Sequence, residues 1–140
     1  MQDTIFDPLR KKEVALTPEE RVRQWFIGVM SGVMGVPRHM MMSEASFSYG
    51  EKKYRADIVV WNRDASPLAV VECKRPDVSL DRPVLEQALR YNIVLNVSYI
   101  IITNGLKTYA FHRTESGFEV MQNLPLWENM AGNGPDEPSK

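Results

Sequence analysis

Tyr54-Arg55-Ala56-Asp57-Ile58-Val59-Val60-Trp61 and Leu68-Ala69-Val70-Val71-Glu72-Cys73 are two apolar runs joined by turn-forming residues Asn62 to Pro67. Their composition predicts a pair of strands. The second run is almost wholly apolar, as expected for a strand buried on both faces. Two carboxylates break the pattern. Asp57 interrupts the first run, and Glu72 interrupts the second near its end, one residue before Cys73 and two before Lys74. Burying a carboxylate without a partner is costly, so both placements need a reason. Side chains alternate along a strand, which puts Glu72 and Lys74 on one face and Cys73 on the other. If the runs pair through the 62–67 turn, Asp57 meets Glu72 and Lys74 at one end of the sheet.

Working outward, Thr17-Pro18-Glu19-Glu20 predicts a helix start, with Thr17 as cap, Pro18 in the first turn and Glu20 completing a capping box. Val22, Phe26, Val29 and Val33 follow at helical spacing, and Gly35 and Pro37 end the helix. Met40 to Met42 is a short apolar run placed to cover the core, residues 43–49 predict a strand, and residues 50–53 a polar turn. After Arg75-Pro76-Asp77, residues 83–96 predict a second helix and Val97 to Ile102 a third apolar strand, ended by Asn104-Gly105. Lys107 to His112 and Phe118 to Met121 extend the sheet as a hairpin. The order predicts an α/β fold, a mixed central sheet flanked by helices. The expected boundaries are a lead-in over residues 1–16, irregular but with Ile5, Phe6 and Leu9 able to pack, a domain over 17–122, and a C-terminal segment over 123–140 that forms a mobile tail, most clearly in the Gly/Pro/charged stretch from Gly132.

Composition narrows the chemistry. At 140 residues with 44% apolar content, the chain suits one domain with one core. It has no run of roughly 20 apolar residues to span a membrane, and Met1-Gln2-Asp3-Thr4 lacks a secretory start. A single cysteine excludes an intrachain disulfide and suits a reducing cytoplasm. With only His39 and His112 besides, a His/Cys zinc centre is disfavoured, and both histidines read as structural. Hard-metal chemistry on carboxylates remains. A net charge of −1 gives no global attraction to nucleic acid, so a nucleic-acid enzyme of this kind would depend on a partner for grip.

Asp57 and Glu72 could hold Mg²⁺ through carboxylate oxygens, with the Cys73 main-chain carbonyl as a further ligand and Mn²⁺ as a substitute. Lys74 would orient a water or offset charge on a phosphate. The alternative is an ion-pair network that only terminates the strands. Gln87 and Tyr91, four residues apart, share one helical face and both offer hydrogen bonds; alone they could equally be a solvated face. Glu20 could approach the metal or serve only its capping box, Glu44 is a weaker acidic candidate, and Arg75 could meet a phosphate or an acid.

Asp57, the interval of 14 residues, and Glu72-Cys73-Lys74 resemble the PD-(D/E)xK nuclease superfamily, whose core is an αβββαβ unit. Gln87-Ala88-Leu89-Arg90-Tyr91, Lys53 to Ile58 and Ile102 to Gly105 resemble more closely the N-terminal nuclease domain of type I restriction enzyme motor (R) subunits, over roughly residues 5–122. The resemblance implies a Mg²⁺-dependent endodeoxyribonuclease with catalytic roles for Asp57, Glu72, Lys74, Gln87 and Tyr91, and metal contacts from Asp57, Glu72, Cys73 and Glu20. It also implies DNA as substrate and restriction-modification subunits or a translocase as partners. Ala56 stands where the family name has proline, which carries no chemistry. The motor subunits are far longer, and no Gly-x-x-x-x-Gly-Lys-Ser/Thr motif occurs here, so ATP-driven translocation is not implied for this chain. Two other classes compete: a catalytically silent module that keeps the fold to bind nucleic acid or protein, and a self-associating protein acting as a homodimer.

Overall fold

The computed structural model describes residues 2–131; the expectation of a mobile tail from Gly132 lies outside the described residues. The chain opens with a hairpin of β1 (Thr4–Asp7) and β2 (Lys12–Ala15), followed by helix α1 (Pro18–Gly32). Strands β3 (Met41–Tyr49), β4 (Lys52–Trp61) and β5 (Pro67–Cys73) come next, then helix α2 (Arg82–Asn92). Strands β6 (Tyr99–Thr103), β7 (Thr108–Thr114) and β8 (Gly117–Met121) complete the main sheet, and a single turn of helix, α3 (Trp127–Met130), follows. The six strands of that sheet stand in chain order, β3 to β8. Only β5 and β6 are parallel, and α2 bridges them, as a parallel pair requires a crossover. The expected αβββαβ core and mixed sheet are present.

Apolar side chains pack on both faces of the sheet. One cluster gathers Val22, Phe26, Ile27 and Met30 of α1 with Ile58, Val71 and Ile101. The other gathers Ala88 of α2 with Val59, Val70, Ile100 and Ile102. Burial on both faces explains the unbroken apolar runs in β5 and β6. Thr17 caps α1, its hydroxyl accepting the Glu20 N–H at 3.0 Å. No helix among the described residues is long and apolar enough to cross a membrane.

Four expectations need correction. Within the lead-in expected to be irregular, Thr4–Asp7 and Lys12–Ala15 form a strand pair, and Phe6 is exposed while Leu9 packs on the α1-side core. The hairpin turn is closed by Lys11 at φ 58° and by Asp7, which accepts from Leu9 N–H and Arg10. In α1, Ile27 and Met30 complete the buried face and Val33 is exposed at the C-cap. Helix α2 stops at Asn92, four residues short, because Leu95 and Val97 turn inward to the core from the connecting loop. Residues before Gly132 are anchored too: Trp127 and Met130 are buried, and Trp127 N–H donates to Met34 O at 2.8 Å.

Candidate metal and phosphodiester site

The β4–β5 register pairs Ile58 with Val71, so one step along the same ladder sets Asp57 opposite Glu72. Asp57 Oδ2 accepts the Cys73 N–H at 2.6 Å, a short charge-assisted bond that ties the two strands at their ends. Glu72 is held from two sides. Lys74 Nζ lies 2.9 Å from its Oε2, and Asn92 Nδ2 donates to its Oε1 at 3.2 Å. Asn92 is buried at the end of α2 and also donates to Ala88 O at 2.8 Å, so the helix fixes its amide. Lys74 N–H donates to Thr103 O at 2.8 Å, extending the parallel ladder one residue past Cys73.

A cavity of about 230 Å³ is lined by Asp57, Glu72, Lys74, Tyr91 and Asn92 together with Glu19 and Arg55. A second, of about 270 Å³, shares Glu72, Lys74 and Tyr91 and adds Gln87 with the apolar Val78 and Val84. The predicted trio therefore opens into one recess, and Gln87 lines only the adjoining one. Tyr91 packs edge-on against Tyr54, with ring centroids 5.0 Å apart, and its hydroxyl accepts the Arg55 N–H at 3.2 Å. That bond spans α2 and β4 beside Asp57.

Burial raises the Asp57 pKa above the ordinary carboxylate value; the Cys73 N–H and Arg23 oppose it, and Glu19 and Glu72 add to it. Burial works against the Lys74 charge, but the hydrogen bond and charge of Glu72 outweigh it, and Lys74 is raised. It is an ammonium at neutral pH. Burial pushes the Cys73 thiol well above its usual range, so the sulfur stays a neutral core atom and its main chain serves the site. Acids crowding a half-buried carboxylate are the arrangement that a divalent cation relieves.

Several sequence candidates lie elsewhere. Glu20 does not line either cavity. Its carboxylate accepts both bonds of Arg10 Nη2 at 2.9 Å and Gln24 Nε2 at 2.8 Å, and Arg23 stands 3.2 Å away. Its neighbour Glu19 is the α1 acid at the recess, a displacement of one residue that capping-box logic could not distinguish. Glu44 pairs with Arg23 at 3.1 Å, and Arg75 pairs with Asp77 at 3.2 Å on the surface. His39 is exposed, and His112 lines a different cavity of about 550 Å³ with Tyr99 and Met121, which carries no carboxylate. Sequence reading missed Asn92, since a lone Asn at a helix end gives no signal of what it will bond.

An α/β sheet with acids on two neighbouring strands, a lysine two residues on and a helix packed over them defines a nuclease-like domain. Residues 18–125 match the family of the type I restriction enzyme R protein N terminus (HSDR_N), and the chain belongs to that family. No curated protein matches it in sequence. Among solved structures, it is similar to a fragment described as a candidate HsdR subunit of a type I restriction enzyme from Vibrio vulnificus YJ016, with TM-score 0.62 and 20% identity. The similarity covers 82% of this chain but 24% of that one, so this chain spans about a quarter of the Vibrio chain. It is also similar to a candidate nuclease of DUF820 from Anabaena variabilis ATCC 29413, with TM-score 0.53 and 11% identity over 92% of this chain and 84% of that one. At these identities the likeness is one of fold.

Proposed function

We propose that this chain is a Mg²⁺-dependent endodeoxyribonuclease domain of a type I restriction system. The carrying observation is that Asp57 and Glu72, from adjacent strands, line one cavity with Lys74. The donor set fits a hard divalent cation: two carboxylates and the neighbouring Cys73 carbonyl, all oxygen. Among the described residues no three His, Cys, Asp or Glu side chains converge, so water would complete the shell, as Mg²⁺ tolerates. When bound, such a cation supplies phosphate polarisation and a water of lowered pKa. Asn92 and Lys74 hold the two oxygens of Glu72 in place, and the Lys74 ammonium offsets charge on the phosphate. Gln87 offers its amide to a phosphate or water from the adjoining recess, and Tyr91 fixes β4 against α2.

The family context supports DNA as substrate, with restriction-modification subunits or a translocase as partners and a homodimer as one way to cut both strands. The net charge of −1 supports reliance on partners for grip. One buried, unpaired thiol is suited to the cytoplasm. The test is calorimetric titration of Mn²⁺ into the wild-type protein and Asp57→Ala, with plasmid nicking on the same samples. Binding and nicking that both vanish in the variant establish the nuclease reading. Binding without nicking marks a competent site awaiting a partner. No binding by folded wild-type protein sinks the catalytic reading and leaves a strand-end ion network.

A further inference from the structure

Strands β3 and β4 do not pass the candidate site as a regular ladder. Ser43 pairs with Ile58 and Ala45 with Ala56, but the rung between them, Glu44 and Asp57, is not paired. Glu44 has φ 55°, a left-handed conformation that is strained for a residue with a long side chain. The inward residues change sides across the same rung. Met41, Ile58 and Val60 lie in the α1-side cluster, whereas Ala45, Tyr54 and Ala56 lie in the α2-side cluster. In an undistorted strand, residues 54, 56, 58 and 60 would share one face. The Asp57 carbonyl, released from the ladder, accepts Arg23 Nη1 at 3.1 Å. Arg23 is buried on α1 and also donates to Glu44 Oε2 at 3.1 Å.

We propose that Glu44 and Arg23 are positioning residues for Asp57: the left-handed turn at Glu44 bends the rung, and Arg23 pins the Asp57 carbonyl. Together they rotate the Asp57 carboxylate toward the Cys73 N–H and the recess. Local breaks in strand pairing beside functional sites commonly re-aim a side chain in this way. Arg10 from the β1–β2 turn supports the pin from the rear. It lies 2.9 Å from Glu20 and 3.6 Å from Glu44, so it shares with Arg23 the charge of both glutamates while Arg23 Nη1 serves the Asp57 carbonyl. The proposal rests on the nuclease reading only for what Asp57 then binds.

The test compares two variants that lose the same carboxylate and differ in backbone preference. Glycine accepts a positive φ, so Glu44→Gly preserves the bend; a β-branched residue resists it, so Glu44→Val opposes it. Two readouts apply, the amide-proton resonance of Cys73, which reports its bond to Asp57, and Mn²⁺ affinity. Glu44→Gly keeps the Cys73 resonance in place. Glu44→Val moves it upfield and weakens Mn²⁺ binding roughly tenfold or more, the usual cost of disturbing a group that orients a ligand. Equal resonances in the two folded variants overturn the proposal. If Glu44→Val does not fold, Arg23→Lys replaces it, since lysine keeps the charge but cannot fork between Asp57 O and Glu44. An upfield shift supports the pin, and an unmoved resonance overturns it. A wild-type protein that binds no Mn²⁺ refutes the nuclease reading, while the Cys73 resonances still decide this one.

Discussion

Glu19 and Glu20 are neighbours in the first turn of α1, yet they enter opposite kinds of polar cluster. Glu20 joins Asp7 in a closed network where Arg10, Arg23 and Gln24 meet the acids at hydrogen-bond distance. Glu19 joins Asp57 and Glu72 around an open recess where the acids crowd one another. The carboxyl pKa values move in opposite directions. Burial works against the ionised form at Asp7, but Arg10, the Leu9 N–H and Gln24 overcome it and the pKa is lowered. Burial prevails at Asp57, and its pKa is raised. A network that stabilises the fold satisfies its charges; the recess proposed to take a cation leaves them in conflict.

The largest effect should come from the closed network. Arg10→Ala leaves Asp7 and Glu20 buried without their shared partner, and breaking a buried pair costs about 3–5 kcal/mol. Urea unfolding should show the midpoint falling with the slope unchanged. A midpoint close to wild type would erase the contrast, because the hairpin network would then contribute nothing to the fold.

The open site should respond with the opposite sign. Asp57→Asn removes a half-buried charge while keeping shape, so the melting temperature rises by about 2–4 °C even as Mn²⁺ binding is lost. Thermal unfolding without metal reads this directly. A fall in melting temperature would mean that Asp57 is an ordinary structural acid.

Acid sharpens the same comparison. The folded-state pKa of Asp7 lies below 3.8, so its ionised form stabilises the fold above that pH and the contribution is lost as pH falls through the folded value. Asp7→Asn should therefore flatten the pH dependence of stability below about pH 4. An identical slope in both proteins would remove Asp7 from the account.

What could be read from the chain beforehand follows the range of the forces involved. The β4–β5 pair and the meeting of Asp57 with Glu72 and Lys74 were legible because strand alternation is local and apolar runs make a charge conspicuous. Thr17 and Pro18 marked the start of α1 for the same reason. The β1–β2 hairpin was not legible, since its turn, Pro8 to Lys11, lacks glycine and depends on Arg10 reaching Glu20 across ten positions. The role of Asn92 depends on where α2 ends against β5, a packing outcome with no sequence period. The bend at Glu44 was hidden too, because a glutamate at positive φ persists only when the surroundings hold it there.

The smallest effect belongs to the pair of glutamates themselves. Glu20→Gln should destabilise the fold and leave Mn²⁺ affinity of the folded protein unchanged, since its carboxylate faces Arg10 and Arg23. Glu19→Gln should leave stability unchanged, because its side chain is exposed. It should weaken Mn²⁺ binding about twofold, the size expected for one charge acting across solvent at several ångströms. Raising the salt concentration should shrink that difference, as screening acts on an exposed charge before a buried one. Calorimetry at low and high salt separates the outcomes. If Glu19→Gln abolishes binding, the α1 acid is a direct ligand and the site holds three carboxylates. If Glu20→Gln is the variant that loses metal, the division between closed network and open site is wrong.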